Sequence, residues 1–299
     1  MTTAPKIFDR RTVRLRRRRL LRSRDDSDFL RREVSLRLLE RLADIKRAFP
    51  LALDVASGPL FEALMAEEDR RPGRLVRCDG LPALAAAGGG DGVVADEELL
   101  PFAPDRFDAA LSVMALHWVN DLPGTLAQLR YCLKPDGLLL AAFPGGDTLV
   151  ELRWALMQAE LEIAGGAAAR VSPFIELRDA GMLLQRAGFA LPMADQDRIT
   201  VHYREPWRLI ADLRAMGEGN ALADRDRRPL RPEVLARALG LYRERFGDAE
   251  GTVPATFDIV FLTGWKPHDS QPRPLPRGSG KVDLGQFLGG GGPAEAKPE

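Results

Sequence analysis

Side chains that bind metals or form cross-links are scarce in this chain. Only two of its 299 residues are cysteine and three are histidine. Cys78 and Cys132 have neither the spacing of zinc-ligand pairs nor the number needed for a disulfide framework. The widely separated His117, His202 and His268 do not form a pattern typical of a non-haem iron site. The sequence therefore predicts no metal site and favours a reducing compartment, which we expect to be the cytoplasm.

Long hydrophobic runs and a net charge are also absent. No apolar run approaches the roughly 18 to 20 residues that a membrane span needs, and no signal-peptide core precedes the first arginines. Lys and Arg total 43, as do Asp and Glu, so the formal net charge is zero. A nucleic-acid partner is therefore not expected. The hydrophobic content of 45% permits a substantial core, and the length suits one large domain or two small ones.

Positive charge is concentrated near the start of the chain. Residues 10–24 contain nine arginines and no acidic residue. We interpret residues 1–28 as a basic N-terminal arm, most simply a solvated one. Two alternatives stay open, because the run is similar to a mitochondrial presequence and would also suit an anionic surface. In the second case the arm would attach the protein peripherally to a membrane.

Apolar segments of strand length alternate with helical patterns through the middle of the chain. The segment 107–116 is apolar at nearly every position, which is typical of a strand covered on both faces in a parallel sheet. Leu30, Val34, Leu38 and Leu42 recur at helical spacing and predict a helix that packs on such a sheet. This alternation predicts a doubly wound α/β fold. The predicted strands are 51–56, 75–79, 92–95, 107–116 and 137–143, followed by two closing strands at 199–203 and 256–265.

The sequence on both sides of the sixth predicted strand, 199–203, has helical patterns. A helical insertion is expected at about 147–195 and 205–250. After position 267 proline and glycine dominate, which is typical of a flexible segment. We therefore divide the chain into the arm, a domain at 29–266 and a flexible tail at 267–299. The helices predicted in the insertion are 149–163, 172–187, 207–216 and 232–246.

Polar side chains follow two of the predicted strands. Asp96 and Glu97 come after the third strand, and His117 and Trp118 follow the fourth. The carboxyl ends of parallel strands meet at one edge of a sheet, and open α/β sheets bind ligands at that edge. The pattern therefore predicts a pocket of the nucleotide-binding type. A surface loop and a helix start are the simpler alternative.

Short motifs along nearly the whole chain resemble a known family. The class I methyltransferase superfamily shares the central motifs, and the methyltransferase-fold assembly factors of respiratory complex I also share those near both ends. A more distant similarity is to the biotin-pathway methyltransferase that esterifies a malonyl thioester. The motifs are FDRRTVRLRRRRL, FPLALD, ADEELLPF, FDAALSVMALHWVNDLP, LKPDG, GGDTLVELR, SPF, MGEGNAL, VPATFDIVFLTGWK and HDSQPRPLPRGS.

The resemblance implies a Rossmann-like class I methyltransferase fold, with a seven-stranded, mostly parallel sheet and flanking helices. It implies S-adenosylmethionine as the cofactor and a protein substrate, namely a subunit of complex I, the NADH dehydrogenase. The expected location is the cytoplasm, the cytoplasmic face of the inner membrane, or the mitochondrial matrix if the chain is eukaryotic. The eukaryotic family member is associated with arginine hydroxylation. Arginine hydroxylation and a non-catalytic assembly role therefore remain alternatives to methyl transfer.

The loop after the first strand departs from the family pattern. The family has an aspartate, an apolar residue and then three alternating glycines, because the backbone approaches the cofactor there without a Cβ. Asp54 and Gly58 are kept, but Ala56 and Leu60 replace the first and third glycines. Pro59 also removes an N–H donor. We predict cofactor contacts from Asp54, Ala56 and Gly58, with a weakened or lost site as the alternative.

The resemblance assigns further cofactor contacts at the next strand ends. Asp79 would accept hydrogen bonds from both ribose hydroxyls, and a turn aspartate is the alternative. Asp96 and Glu97 would lie near the adenine amino group. Ser112 and Met114 would border the methionine portion, unless they only pack in the core.

His117 and Trp118 are the candidate catalytic residues. Methyl transfer from a sulfonium depends mostly on alignment, and a base is needed only for some acceptors. His117 would serve as that base, and Trp118 would form a wall of the acceptor pocket. The simpler alternatives are a histidine that caps the next helix and a tryptophan that anchors it.

Overall fold

The computed structural model describes residues 6–21, 28–88 and 90–272, and its centre is a single sheet. Its strands are β1 (Leu51–Val55), β2 (Arg74–Asp79), β3 (Asp91–Val94), β4 (Phe107–Val113), β5 (Leu133–Gly145), β6 (Ala190–Tyr203) and β7 (Val253–Trp265). The seven strands are arranged in the order β3-β2-β1-β4-β5-β7-β6. β1 to β5 are parallel, and β7 is antiparallel to both β5 and β6. The predicted seven-stranded, mostly parallel sheet is confirmed.

Helices flank this sheet, and several of them start at a proline. In α3, α4, α5, α8 and α9 a proline lies in the first turn, where its missing N–H would have no intrahelical partner anyway. The described helices are α1 (Arg10–Arg17), α2 (Phe29–Ala43), α3 (Pro59–Glu67), α4 (Pro82–Ala85), α5 (Leu122–Cys132), α6 (Val150–Ala164), α7 (Leu177–Arg186), α8 (Pro206–Ala215) and α9 (Pro232–Phe246).

The core forms two layers because the central strands are buried on both faces. In β5, Leu138 and Leu140 pack into the layer that contains α2, α3, α6, α8 and α9. Leu139 and Ala141, which point to the other face of the same strand, pack with α5 and α7. This explains why the central strands read as unbroken apolar runs. Both faces of the sheet are therefore covered, and a ligand site is expected at the carboxyl edge of the parallel strands.

Several predicted element boundaries were wrong, and three of them differ for identifiable reasons. The predicted strand 107–116 ends at Val113, because Met114 takes a positive φ of 53°. The predicted helix 172–187 begins only at Leu177, and Pro173 disfavours a helical conformation for the residue before it. The sixth strand, predicted at 199–203, begins at Ala190 and pairs with β7 along its length.

The described part of the predicted basic arm packs against the domain. Asp9 caps α1 by accepting a hydrogen bond from the Thr12 N–H. Phe8 and Val13 are buried in a small apolar cluster with Trp118. A 3-10 turn, Arg18–Leu21, follows the helix. Helix α1 is therefore part of the folded unit rather than a solvated extension.

Two compact units divide the chain, Met1–Pro267 and His268–Glu299. Within the second unit the described residues 268–272 form a turn, in which the Gln271 N–H donates to the His268 carbonyl oxygen. The rest of the predicted tail, 273–299, lies outside the described residues. In the described ranges, no helix combines the length and the apolar character that crossing a bilayer requires.

Candidate functional site

The turn after β1 keeps a tight backbone path despite its departures from the family pattern. Ala56 has a φ of +58° and Gly58 a φ of +86°. A left-handed conformation costs a residue with a Cβ roughly 1–2 kcal/mol, whereas glycine adopts it freely. Pro59 begins α3, so its missing N–H does no harm there. Asp54 is fully buried, and its Oδ1 accepts a hydrogen bond from the Ser57 N–H at 3.3 Å.

Asp79 ends β2 and is 1% exposed. Each of its carboxylate oxygens accepts one hydrogen bond. The Leu81 N–H donates to Oδ1 at 2.8 Å, and Arg17 Nη2 donates to Oδ2 at 2.7 Å. The position predicted to hold the ribose hydroxyls is therefore filled by an arginine from α1.

Asp96 and Glu97, just beyond β3, also pair with arginines of α1. Arg10 Nη2 lies 2.8 Å from Asp96 Oδ1 and also contacts the Glu97 carboxylate. Arg14 contacts the other oxygen of Asp96. Burial disfavours the ionised form of Asp96, but the Glu98 N–H and the two arginines outweigh it and lower the pKa of Asp96. The acidic step is thus held ionised by the chain's own cations.

Helix α1 and the turn after it lie over the carboxyl ends of β1, β2 and β3. Arg17 Nη2 also donates to the Ala56 carbonyl oxygen at 2.7 Å, which links the first loop to Asp79. Leu20 packs in an apolar cluster with Leu81 and Leu84. We call the space bounded by the β1 turn, Asp79 and Asp96 the cofactor cleft. In this structure the side chains of α1 and its following turn occupy it.

Ser112 and Met114 have different surroundings. Ser112 Oγ donates to the Val55 carbonyl oxygen at 2.8 Å and the residue is buried, so it joins β4 to β1. The Met114 N–H donates to the Ala142 carbonyl oxygen at 2.7 Å. Met114 also lines the apolar pocket described below. Of the two, Met114 is the one that borders a cavity.

His117 and Trp118 converge on a carboxylate that the sequence reasoning did not single out. They lie in a short 3-10 turn, Leu116–Trp118. Glu218 Oε2 lies 2.9 Å from His117 Nε2 and accepts a hydrogen bond from Trp118 Nε1 at 3.2 Å. His117 Nδ1 is buried and has no hydrogen-bond partner among the described residues. The imidazole is therefore oriented through one nitrogen, and the other is unpaired.

Glu218 is held in its ionised form although only 11% of its side chain is exposed. Burial disfavours the charge, but His117, Arg31 and Arg17 together outweigh that effect and lower the pKa of Glu218. Arg31 Nη2 lies 3.8 Å from Glu218 Oε1. The motif MGEGNAL contains this glutamate, yet its position in a loop between α8 and α9 gave no periodic signal of burial.

Arg31 is a second residue that the sequence reasoning missed. It is 3% exposed, and its Nη1 donates to the carbonyl oxygens of Ser57 and Val113 at 3.2 and 3.1 Å. It therefore ties α2 to the ends of β1 and β4. An arginine beside Leu30, on the apolar face of a helix, is the signal that could have identified it.

An apolar pocket of about 350 Å³ adjoins the cofactor cleft. Trp118, Met114 and Glu218 are on its wall, and the remaining lining comes mostly from the predicted helical insertion. Apolar pockets with a few polar groups are typical of small-molecule and side-chain binding sites. The apolar side chains of the insertion in the lining include Leu152, Leu156, Phe174, Ile210, Leu213 and Leu230.

A larger groove of about 1300 Å³ lies next to the apolar pocket, and the two share Arg170 and Asn220. The groove is bordered by the outer side of the N-terminal segment, including Arg11 and Arg16, and by residues 223–228. Arg16 Nη1 is buried without a hydrogen-bond partner in the described part of the chain. The groove is thus open, and Arg11 and Arg16 on its border form no ion pair with the described residues.

Apart from Ser112 and Met114, the predicted site residues fall into two groups. Asp54, Ala56, Gly58, Asp79 and the acidic step at 96–97 surround the cofactor cleft, while the pair at 117–118 belongs to the network around Glu218. Among residues 6–21, 28–88 and 90–272, no group of three or more His, Cys, Asp or Glu side chains is arranged to hold a metal ion.

Comparisons with known proteins agree with this architecture. The methyltransferase domain family matches residues 53–141. Arginine-hydroxylase NDUFAF5, mitochondrial, of Danio rerio is 41% identical over 292 residues, which cover 93% of this chain and 88% of that protein. Malonyl-acyl-carrier protein O-methyltransferase of Gallionella capsiferriformans is 31% identical over 275 residues, which cover 87% of this chain and 92% of that protein. The solved structure of BH2331 from Bacillus halodurans C-125 has a TM-score of 0.53 at 15% identity, and the match covers 78% of this chain and 99% of that one.

Proposed function

Because this chain belongs to the class I methyltransferase family that includes arginine-hydroxylase NDUFAF5 and malonyl-acyl-carrier protein O-methyltransferase, we propose that it binds S-adenosylmethionine and modifies a protein acceptor. The acceptor we propose is a subunit of respiratory complex I during its assembly. The observation that carries the proposal is the convergence of the β1 turn, Asp79 and Asp96 at one sheet edge, beside an open apolar pocket.

The residues of the cofactor cleft fit S-adenosylmethionine. Oδ1 of Asp79 accepts a hydrogen bond from the Leu81 N–H, and Oδ2 accepts one from Arg17. If Arg17 withdrew, Oδ2 would be available to a ribose hydroxyl. Asp96 and Glu97 would face the adenine amino group, and Gly58, at a φ of +86°, would admit a close backbone approach. The bound cofactor would supply an electrophilic methyl group.

On the acceptor side, we assign His117 the role of proton acceptor and Glu218 the role of positioning it. A carboxylate that holds one imidazole nitrogen fixes the tautomer and leaves the other nitrogen free to take a proton. Nδ1 of His117 is that free nitrogen. Trp118 would form a wall of the pocket, where it is held by its own hydrogen bond to Glu218.

A protein acceptor suits the cavities better than a small metabolite. The apolar pocket would take one side chain, and the adjoining groove of about 1300 Å³ would take the neighbouring backbone. The groove also carries unpaired arginine, which would suit a segment with acidic residues.

Two alternatives have specific support. Arginine hydroxylation is the activity for which the NDUFAF5 relatives are named, and the acidic edge of this chain accommodates three guanidinium groups. A non-catalytic assembly role is favoured by the occupation of Asp79 by Arg17. We place the protein where complex I assembles, in the cytoplasm or at the cytoplasmic face of the inner membrane, or in the matrix of a mitochondrion.

The test is deletion of the gene in its host, followed by native-gel measurement of assembled complex I. We expect loss of the assembled complex, rescue by the wild-type chain and no rescue by an equally abundant Asp79→Asn variant. Full rescue by that variant would favour the non-catalytic role. Normal complex I in the deletion strain would contradict the assembly role altogether.

A further inference from the structure

The carboxylates assigned to the cofactor are bound within the chain itself. Arg17 pairs with Asp79, while Arg10 and Arg14 pair with Asp96. Positions 10, 14 and 17 lie about one turn apart, so a single face of α1 presents all three guanidinium groups. The pairs join residues 62 to 86 positions apart, so they are tertiary contacts rather than local ones.

Arg17 makes the contact that excludes a ligand most directly. The residue is 5% exposed, and its Nη2 lies 2.7 Å from both Asp79 Oδ2 and the Ala56 carbonyl oxygen. The other oxygen of Asp79 accepts the Leu81 N–H. A ribose diol needs the oxygen that Arg17 now holds, so the arginine and the ribose would compete for the same atom.

We propose that α1 and the turn Arg18–Leu21, together called the strap, form an autoinhibitory element that occupies the cofactor cleft and withdraws when S-adenosylmethionine binds. The proposal rests on the proposed function, since it requires the cofactor to bind at Asp79. With a strap of this kind, the apparent cofactor affinity equals the intrinsic affinity multiplied by the fraction of molecules in which the cleft is open. Its contacts with Asp79 and Asp96 are ion pairs, which a polar ligand can replace, and Arg14 remains 40% exposed at its side chain.

The same helix contains a matched control. Arg11 is exposed and forms no ion pair with the described residues. Its substitution by glutamine removes the same charge from α1 as Arg17→Gln does, but it leaves Asp79 occupied. A general effect of arm charge would therefore appear in both variants, whereas release of the strap would appear only in Arg17→Gln.

The first measurement is calorimetric titration of the full chain with S-adenosylmethionine. We expect Arg17→Gln to lower the dissociation constant by about tenfold or more, as release of a largely closed state predicts, and Arg11→Gln to leave it unchanged. Equal affinity in wild type and Arg17→Gln, or weaker binding in the variant, would overturn the strap while leaving cofactor binding in place.

A second measurement needs no variant, because trypsin cleaves after arginine. We expect saturating S-adenosylmethionine to speed cleavage of the wild-type chain within residues 10–19, since the strap leaves the cleft. Slower cleavage would mean that the helix closes over a bound cofactor, which contradicts the strap. If neither the wild type nor Arg17→Gln binds S-adenosylmethionine, the strap has no competitor and is overturned together with the proposed cofactor.

Discussion

Two neighbouring cavities at the carboxyl edge of the sheet differ in what fills them. The cofactor cleft is lined by carboxylates and is occupied by Arg10, Arg14 and Arg17. The apolar pocket beside it, of about 350 Å³, is open. The charged half of the site is thus satisfied by the chain itself, while the apolar half has no internal occupant among the described residues.

The difference follows from the cost of leaving each kind of group without a partner. A buried carboxylate without a partner is destabilising by several kcal/mol, so a folded chain supplies a cation when no ligand is present. An apolar cavity of modest size has no such requirement. The cleft therefore contains the ionic contacts of the site, and the pocket contains the space in which we propose that the acceptor binds.

Glu218 is on the wall of the apolar pocket, and its neutralisation should have the largest effect on stability. Glu218→Gln removes the charge that faces buried Arg31, so we expect the free energy of unfolding to fall by about 3 kcal/mol. The measurement is urea denaturation at neutral pH. The matched control is Glu244→Gln, at a side chain that is 62% exposed, for which we expect a change below about 0.5 kcal/mol.

The pH dependence of the same pair checks the cause. Because the folded-state pKa of Glu218 is lowered from 4.5, its contribution is present above that pH and is lost as pH falls through the lower folded value. The difference between wild type and Glu218→Gln should therefore shrink in acid. A difference that stays constant would mean that lost packing, rather than charge, causes the destabilisation.

A substitution that fills the apolar pocket should reduce transfer to the acceptor without changing cofactor binding. Ile210→Trp places a larger side chain on the pocket wall, so the proposed methyl transfer to complex I subunits should fall by about tenfold or more, the scale of an overpacking cost of about 1–3 kcal/mol. The measurement is transfer of labelled methyl groups to membranes of the deletion strain. Binding of S-adenosylmethionine should not change.

Ile163→Trp on the exposed side of α6 is the control for that substitution, because Ile163 is 38% exposed and is not part of the pocket. If both variants lose transfer equally, the pocket is not the acceptor site. Weaker cofactor binding in Ile210→Trp alone would mean that the two cavities are one site.

Asp54 provides a smaller, pH-dependent test of the cleft. Burial raises its pKa to about 6, and the Ser57 hydrogen bond and Arg77 oppose this only in part. Since the folded pKa lies above the ordinary 3.8, the stabilising contribution of protonated Asp54 is full below 3.8 and is lost as pH rises through about 6. Asparagine does not titrate, so Asp54→Asn does not lose this stability as the pH rises. Denaturation at a series of pH values should therefore show the free energy of unfolding of the variant rising relative to that of the wild type from about pH 4 to about pH 7. A flat difference would contradict the assignment.

Ala56→Gly should have the smallest effect. Relief of a left-handed alanine is worth roughly 1–2 kcal/mol, but a lost buried methyl group and a more flexible unfolded chain offset most of it. We expect a stability change within about 1 kcal/mol and a smaller gain in cofactor affinity than Arg17→Gln gives. A larger gain in affinity than Arg17→Gln would identify the altered loop, rather than the strap, as the limit on cofactor binding.

Much of the fold could be predicted because the central strands are buried on both faces and therefore read as continuous apolar runs. The start of β6 could not. Leu191 and Met193 are exposed and Pro192 interrupts the pattern, so pairing with β7 rather than local preference defines that strand. The start of α7 was also missed, because the sequence from Ser172 onward predicts one continuous helix, whereas residues 172–176 are not helical in the structure.

The candidate site was predictable where residues follow strand ends. Asp79 and Asp96 lie at those ends, so topology alone brings them to one edge. Their partners could not be identified, because a nearly uniform run of arginines does not indicate which ones face the sheet. The partner of His117 lies 101 positions away in a loop, where no periodic pattern reports burial.

Calorimetric titration with S-adenosylmethionine and its demethylated product, in wild type, Arg17→Gln and Asp79→Ala, tests the central claim most directly. We predict one site that binds both ligands, with tighter binding in Arg17→Gln and binding lost in Asp79→Ala. If neither ligand bound to wild type or to Arg17→Gln up to about millimolar concentration, the claim would be contradicted. That limit corresponds to a binding free energy of about 4 kcal/mol in magnitude.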